Sequence, residues 1–182
     1  MSQRLLVWGD FETSGLDENK HIILEGAFAI ADFYDPFNYS HVFNGVMHVS
    51  AEHASTFDPF IVDMHTKNGL LKECEASAMT VADMERVLLS YIPDVVDKTL
   101  KPTLAGSSIG FDKKFIDRYM PTLAKRLIHR VYDVSGLKLH AESKGMPTMR
   151  KAEAHRAKDD IEESVQHAIE CDAWLKAYYR SL

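Results

Sequence analysis

Hydrophobic residues follow a strand-like pattern over the first fifty residues of the chain. An almost continuous apolar run over Arg4–Asp10 predicts a central strand that is covered on both faces. Two more strands are predicted over His21–Phe33 and Tyr39–Val49, and the links between the three are short and contain turn-forming residues. Three consecutive strands with short links predict an antiparallel meander.

The spacing of apolar residues becomes helical after residue 80. It predicts a helix from Thr80 to about Val95, with Asp83 completing an N-terminal cap. The later elements are expected to be a strand over Pro102–Ser107, a helix over Phe111–Met120, a strand over Val131–Val134 and an amphipathic closing helix with Ile161, Val165, Ala168, Cys171 and Leu175 on one face. This order predicts an α/β fold with a mixed five-stranded sheet flanked by helices, in a single domain over residues 1–182.

Composition narrows the class of protein further. The chain is 46% hydrophobic and 26% charged, which is ordinary for a globular protein. Its longest apolar runs are far shorter than the ~20 residues of a membrane helix. Cys74 and Cys171 are far apart and lack metal-ligand spacing, which favours free thiols in a reducing compartment. The prediction is a cytoplasmic protein, located in the host cytoplasm if the chain is viral, with no membrane partner.

The net charge of −6 bears on the kind of nucleic acid the chain could bind. Proteins that hold long polymers usually carry a basic surface, because neutralised phosphates release counterions. A carboxylate cluster that binds divalent metal, or a substrate of a few nucleotides, removes the need for such a surface. The acidity therefore counts against a binder of long nucleic acid and leaves a nuclease possible.

The first candidate chemistry is a pair of acids at the end of the first strand. Asp10 and Glu12 are two residues apart, so both carboxylates face the same side while Phe11 points into the core. Two like charges this close repel each other unless a cation or a proton lies between them. A solvated strand end with two acids is the alternative reading of this short pattern.

Three later residues are candidates for the same site. Asp112 follows the fourth strand, at the start of a helix, where an acid that matches the helix dipole is the ordinary alternative. His155 precedes the closing helix and is, taken alone, a surface loop residue. Asp159 and Asp160 both fall in the first turn of that helix, and Asp160 adjoins the core-facing Ile161.

The stretches around these residues resemble the three motifs of the DEDDh exonuclease superfamily. The matching segments are DFETSG (Asp10–Gly15), GSSIGFD (Gly106–Asp112) and HRAKDD (His155–Asp160). The resemblance implies an RNase H-like fold and metal-dependent removal of nucleotides from a 3′ end. It implies Asp10, Glu12, Asp112 and Asp160 as metal ligands, with His155 as the general base; the family's spacing selects Asp160 over Asp159.

Within that superfamily the chain is most similar to oligoribonuclease, which degrades RNA fragments of a few nucleotides. MHTKNGLL (Met64–Leu71) and DVSGLK (Asp133–Lys138) are typical of this branch. The resemblance implies a substrate-binding set in which one leucine wedges against bases and the other members hold the terminal 5′ phosphate or a base: Leu16, His65, Ser108, His129, Arg130 and Ser135. His129 stands where oligoribonucleases commonly carry a tyrosine that is contributed across the dimer.

The predicted function is hydrolysis of short single-stranded RNA, with DNA as a further substrate, to nucleoside 5′-monophosphates. Two Mg²⁺ or Mn²⁺ ions are expected per site, because oxygen ligands favour hard cations. A homodimer is implied by the family resemblance. The alternatives are a proofreading or trimming exonuclease on longer strands, an enzyme whose true target is a signalling dinucleotide, and a non-catalytic nucleic-acid-binding protein of the same fold.

One stretch of the chain is locally basic. It is a candidate phosphate funnel beside Asp112, or else a solvated helix face. Its members are Lys113, Lys114, Arg118, Lys125, Arg126 and Arg130, to which Lys144, Arg150, Lys151 and Arg156 near His155 could add.

Overall fold

A five-stranded mixed sheet forms the centre of the protein. A computed structural model describes residues 4–150 and 155–182. The strands are β1 Leu5–Thr13, β2 Ile23–Asp32, β3 Asp35–Val46, β4 Thr103–Gly106 and β5 Val131–Asp133, in the spatial order β3-β2-β1-β4-β5. The first three strands pair antiparallel, while β4 pairs parallel with both β1 and β5. The predicted meander and the mixed five-stranded sheet are confirmed.

The pattern of β1 explains why it lies at the centre. Val7 and Phe11 face one core cluster, and Leu6 and Trp8 face another, on the opposite side of the sheet. All four side chains are buried, since helices cover both faces. The strand continues to Thr13 and not just to Asp10. Asp10 and Glu12 are therefore held within a hydrogen-bonded strand.

Helices within the described ranges cover the two faces of this sheet. Their bounds are α1 Ala51–Ala54, α2 Pro59–Lys67, α3 Leu70–Ala76, α4 Val81–Tyr91, α5 Gly110–Tyr119, α6 Pro121–Arg126, α7 Val134–Glu142 and α8 Ala157–Arg180. The predicted cap of α4 is confirmed, with Thr80 and Asp83 forming a reciprocal capping box. In α8, Ile161, Val165, Ala168 and Cys171 are buried as predicted.

Five helices in the described ranges were absent from the sequence-based expectation: α1, α2, α3, α6 and α7. Helices α1, α2 and α3 are short, so none of them presents enough turns for a clear apolar period. Helix α6 begins at Pro121, directly after α5, and has only six residues. Helix α7 begins directly after β5, where Asp133 caps it by accepting a hydrogen bond from Ser135 N. The prediction of a strand over Tyr39–Val49 was also shifted, because Asp35 already pairs with Asp32 across a tight turn.

Two properties of the described chain bear on the earlier expectations. Cys74 and Cys171 are free and buried, and burial raises the pKa of the Cys74 thiol to about 12. Over residues 4–150 and 155–182, no helix combines the length and the apolar character needed to cross a membrane.

Candidate active site

Asp10 and Glu12 line a cavity with a volume of about 310 Å³. They lie two residues apart on β1, opposite Ala27 and Glu25 of β2. Phe11 between them is turned to the other side, where its ring packs edge-on against Phe28. The alternation of the strand thus directs two carboxylates into one space.

Glu12 lies close to His155, which precedes α8, and to Asp160 in the first turn of that helix. One ligand atom from each of Glu12, His155 and Asp160 lies within 4.8 Å of the others. Glu12 and Asp160 are buried, with residual exposures of 7% and 4%. Burial of two carboxylates at this distance is unfavourable unless a cation or a proton compensates the charge. Carboxylate oxygens are the ligands that Mg²⁺ and Mn²⁺ prefer, so the donor set fits a divalent metal ion.

Asp112 reaches the same cavity from the first turn of α5. Its Oδ1 accepts a hydrogen bond of 2.9 Å from the backbone N–H of Phe11, between the two acids of β1. The residue is 4% exposed. Asp112 is therefore fixed against β1 by a specific hydrogen bond, in addition to any interaction with the dipole of α5.

A glycine allows β4 to come this close to β1. A Cβ atom added at Gly106 would lie 2.7 Å from the carbonyl oxygen of Gly9. This contact is with backbone and has no room to relax, so any larger residue would separate the two strands at the cavity. Its proximity to Asp10 was not apparent from the sequence.

Ser108 and Ser135 form a second group in the cavity, here named the serine pair. Their hydroxyl oxygens lie 2.9 Å apart, and Ser108 N donates to Ser135 Oγ at 2.9 Å. Asp133 accepts from Ser108 N and Ser135 N at 3.1 and 2.9 Å. Ser108 has φ 52°, in the left-handed region, so these contacts hold an unfavourable backbone conformation.

Leu16 and His65 have opposite environments. Leu16 is 80% exposed in the loop after β1, which leaves its side chain available for a ligand. His65 has no exposed surface, and its Nε2 lies 3.7 Å from Glu12 Oε2. Burial lowers the pKa of His65, and the nearby His155 lowers it further. The structure places His65 against Glu12, where it offers no surface to a phosphate, and not beside the serine pair as the resemblance implied.

His129 and Arg130 lie at the other end of β5 from the serine pair. They precede the first residue of that strand, whereas Ser135 follows its last. A strand of three residues spans about 10 Å. Both side chains are exposed, and His129 lines a separate cavity with Lys98 and Lys101. The three-residue strand β5 thus lies between Arg130 and Ser135 within one chain.

Several of the basic residues predicted to form a phosphate funnel make contacts within the protein instead. Lys113 pairs with Asp117 at 2.7 Å, and Arg126 donates to the carbonyl oxygens of Leu89 and Ile92. Arg156 pairs with two glutamates, described below. Lys151 lies outside the described residues.

Several residues in the cavity were not predicted to belong to it, among them Lys138, Glu163 and His167. Lys138 of α7 lies 3.5 Å from His167 of α8, whose other ring nitrogen is 3.8 Å from Glu163. All three line the cavity beside Ser164. Lys138 and Ser135 are three residues apart on one helical face, which is the signal that could have identified the lysine.

Comparisons with known proteins show the family of this chain. The Exonuclease (RNase_T) family model matches residues 7–167. The oligoribonuclease of Corynebacterium diphtheriae is 36% identical over 178 residues, covering 95% of this chain and 82% of the relative. The mitochondrial oligoribonuclease of Bos taurus is 37% identical over 172 residues, covering 91% and 70%.

The fold is shared with a solved exonuclease. Escherichia coli exonuclease I, in complex with a dT13 oligonucleotide, superposes with a TM-score of 0.66 at 13% identity, covering 98% of this chain and 43% of the other. This likeness supports the RNase H-like fold. With the carboxylates and His155 brought together as the motifs require, the chain belongs to the exonuclease family and is an oligoribonuclease-like DEDDh exonuclease.

Proposed function

We propose that the protein is a metal-dependent 3′→5′ exonuclease that hydrolyses short single-stranded RNA to nucleoside 5′-monophosphates, as one domain over residues 1–182. The observation that carries this proposal is the convergence of Glu12, His155 and Asp160 in a cavity that Asp10 and Asp112 also line. The oligoribonuclease names of the relatives support the choice of short RNA.

Asp10, Glu12, Asp112 and Asp160 would hold two Mg²⁺ or Mn²⁺ ions. Their carboxylate oxygens, of which those of Glu12, Asp112 and Asp160 belong to buried residues, are the donor set that such hard cations favour. When bound, these ions would supply a more acidic water and charge stabilisation for the leaving oxygen. The fixed positions of the ligands on β1, α5 and α8 mean that little rearrangement is needed to form the site.

His155 is proposed to take the proton of the attacking water. Its ring lies among the carboxylates Glu12 and Asp160 at one side of the cavity. Histidine is the commonest general base near neutral pH, and such a base must lie within hydrogen-bonding reach of the water it deprotonates. His65 is fully buried, and burial lowers its pKa, whereas the ring of His155 lines the cavity beside the carboxylates.

The serine pair is proposed to recognise the terminal 5′ phosphate of a short substrate. Ser108 and Ser135 present hydroxyl groups at the cavity surface, and Lys138 supplies a positive charge in the same cavity. A phosphate bound there would mark the far end of a substrate whose 3′ end lies at the carboxylates. Leu16, in the loop after β1, would contact a base with its exposed side chain.

A second copy of the chain is proposed to supply His129 and Arg130. These residues precede β5, whereas Ser135 follows it, so a strand of about 10 Å separates them from the serine pair of their own chain. A homodimer that brings them to a neighbouring cavity would restore the arrangement implied by the family. We further propose that the enzyme acts in the cytoplasm.

The test is an assay with purified protein on 5′-labelled RNA and DNA in the presence and absence of Mg²⁺ or Mn²⁺. Stepwise loss of nucleotides from the 3′ end, abolished by chelation and by Asp10→Asn, is the expected result. The released product is expected to be a nucleoside 5′-monophosphate. Efficient shortening of long strands with dinucleotides left over would favour the trimming alternative. Tight binding without any cleavage would favour a non-catalytic binding protein.

A further inference from the structure

His155 occupies a backbone conformation that its surroundings must hold in place. Its φ is 47°, in the left-handed region that side chains with a Cβ rarely adopt. The residue lies just before α8, outside any helix or strand. Nevertheless, its ring must stay beside Glu12 and Asp160 to serve as the proposed base. A conformation of this kind persists only where neighbouring contacts determine it.

The first such contact is made to the carbonyl group of His155. Asn68 Nδ2 donates a hydrogen bond of 2.9 Å to the His155 oxygen. Asn68 is itself fixed at the end of α2, because its Oδ1 accepts from Leu70 N at 3.1 Å. The peptide that follows the catalytic ring is therefore held from the side of α2.

The second contact involves the next residue along the chain. Arg156 Nε and Nη2 donate to the two carboxylate oxygens of Glu25, each at 3.0 Å. Nη1 and Nη2 of the same guanidinium donate to Glu73 at 3.0 and 2.7 Å. Glu25 lies on β2 with its side chain 2% exposed, and it also accepts from Ala157 N at 3.2 Å. One buried carboxylate thus joins the central sheet to the first residue of α8.

We propose that Asn68, Arg156, Glu25 and Glu73 form a clamp that positions His155 for catalysis. The clamp acts through His155, so its members are positioning residues and not catalytic residues. The inference rests on the proposed function. Its physical basis is that the clamp holds both sides of the peptide after His155: the carbonyl through Asn68, and the following side chain through two bidentate ion pairs. Displacement of a catalytic group by about 1 Å can cost on the order of 10²-fold in rate.

The main test variant is Arg156→Lys, which keeps the positive charge and loses the bidentate geometry. The expected result is a fall in kcat of about 10–100-fold, typical for partners that orient an active-site group, with little change in KM. Arg180→Lys, at the exposed far end of α8, is the matched control and should leave kcat unchanged. Glu73→Gln removes one ion pair from a partly exposed site, so it serves as a milder second variant if Arg156→Lys fails to fold.

A double-mutant cycle separates positioning from a purely structural role. If the clamp acts through His155, adding Arg156→Lys to His155→Ala should cause no further loss of kcat. Equal losses in the wild-type and His155→Ala backgrounds would overturn the proposal. Glu75→Gln, a neighbour of Glu73 on α3, controls for the milder variant.

A second readout needs neither metal nor substrate. In metal-free protein, the ring resonances of His155 in ¹H–¹⁵N NMR spectra should shift or broaden in Arg156→Lys and Glu73→Gln, and remain in place in Arg180→Lys. Unchanged His155 resonances in both clamp variants would overturn the proposal. If the wild-type protein cleaves no RNA, the proposed function is wrong, and the NMR spectra still decide whether the clamp orients His155.

Discussion

The two sides of the cavity are built from different chemistry. On the β1 and α8 side, Glu12 and Asp160 are buried carboxylates next to the ring of His155. On the β4 and β5 side, Ser108 and Ser135 present neutral hydroxyl groups close to the surface. Buried negative charge requires a cation, whereas hydroxyl groups can only donate or accept hydrogen bonds. The first side therefore suits bond cleavage, and the second suits recognition of a substrate end.

Both sides hold one residue in the left-handed region, by different means. Ser108 is held by hydrogen bonds from its own N–H to Asp133 and Ser135 at the end of β5. His155 is held by Asn68 and by the ion pairs of the residue that follows it. Strained backbone commonly marks functional sites, and here it marks both sides of one cavity.

The largest expected effect is on the carboxylate side. Asp160→Asn should lower kcat on the order of 10³-fold for every substrate length, because a metal ion contributes several kcal/mol of transition-state stabilisation. The neighbouring exposed acid provides the matched control, Asp159→Asn, which should be nearly neutral. Single-turnover assays with Mn²⁺ measure both. Equal losses in the two variants would contradict the assignment of Asp160.

His155→Ala should cost about 10²–10⁴-fold in kcat, the usual contribution of a general base. The loss should be the same for short and long RNA, because the base acts only at the 3′ end. Exposed His53 provides the control His53→Ala. A rate that is indifferent to His155→Ala removes this residue from its proposed role.

A smaller and selective effect is expected on the serine side. Ser135→Ala should lower kcat/KM for a 5′-phosphorylated dinucleotide by about 10-fold or more, since a hydrogen bond to a charged group is worth ~1.5–3 kcal/mol. Strands of about twenty nucleotides should be affected little. Ser143→Ala at the end of α7 is the control. Equal losses on both lengths would show that Ser135 does not recognise a substrate end.

Leu16→Ala should raise KM up to about 10-fold, which corresponds to partial burial of a leucine side chain against a base. The melting temperature should not change, since Leu16 is 80% exposed. The exposed Leu139 provides the matched control Leu139→Ala. A fall in melting temperature without a change in KM would assign Leu16 to the fold.

The smallest expected effect concerns stability and pH. Burial lowers the pKa of His167, and Lys138 lowers it further, so the unfolded chain binds a proton there more readily than the folded protein does. The contribution of His167 to the free energy of unfolding should therefore be fully present above pH ~6.5 and should be lost as the pH drops below that value. Urea unfolding of wild type and His167→Gln at pH 7.5 and 5.5 measures this. The variant should show a shallower pH dependence; an unchanged slope would contradict this role of His167.

The sequence was sufficient to predict those structural features that depend on short segments. The alternation around Asp10 and Glu12 and the cap before α4 follow from local rules, and the structure agrees with them. Helices α1 to α3 were not predicted, because each has too few turns for its apolar spacing to be distinguished from that of a loop. Even so, Asp58 before Pro59 is a readable start signal for α2.

Contacts between distant segments could not be read from the sequence. Arg156 is 131 residues from Glu25 and 83 from Glu73, and its positive charge alone suggested a phosphate funnel. Likewise, the family resemblance implied that His65 holds a phosphate, whereas its burial against Glu12 is visible only in the structure. Pairing across the fold decides whether a charge faces solvent, and local pattern carries no information about that pairing.

The most direct test of the central claim compares substrate lengths. It measures kcat/KM for RNA of two and about twenty nucleotides, each with and without a 5′ phosphate, in the presence of Mn²⁺. If one side of the cavity cleaves and the other recognises the substrate end, the phosphorylated dinucleotide is the best substrate and loses this advantage without its phosphate. Equal or faster cleavage of the long strand, indifferent to the 5′ phosphate, would contradict the account.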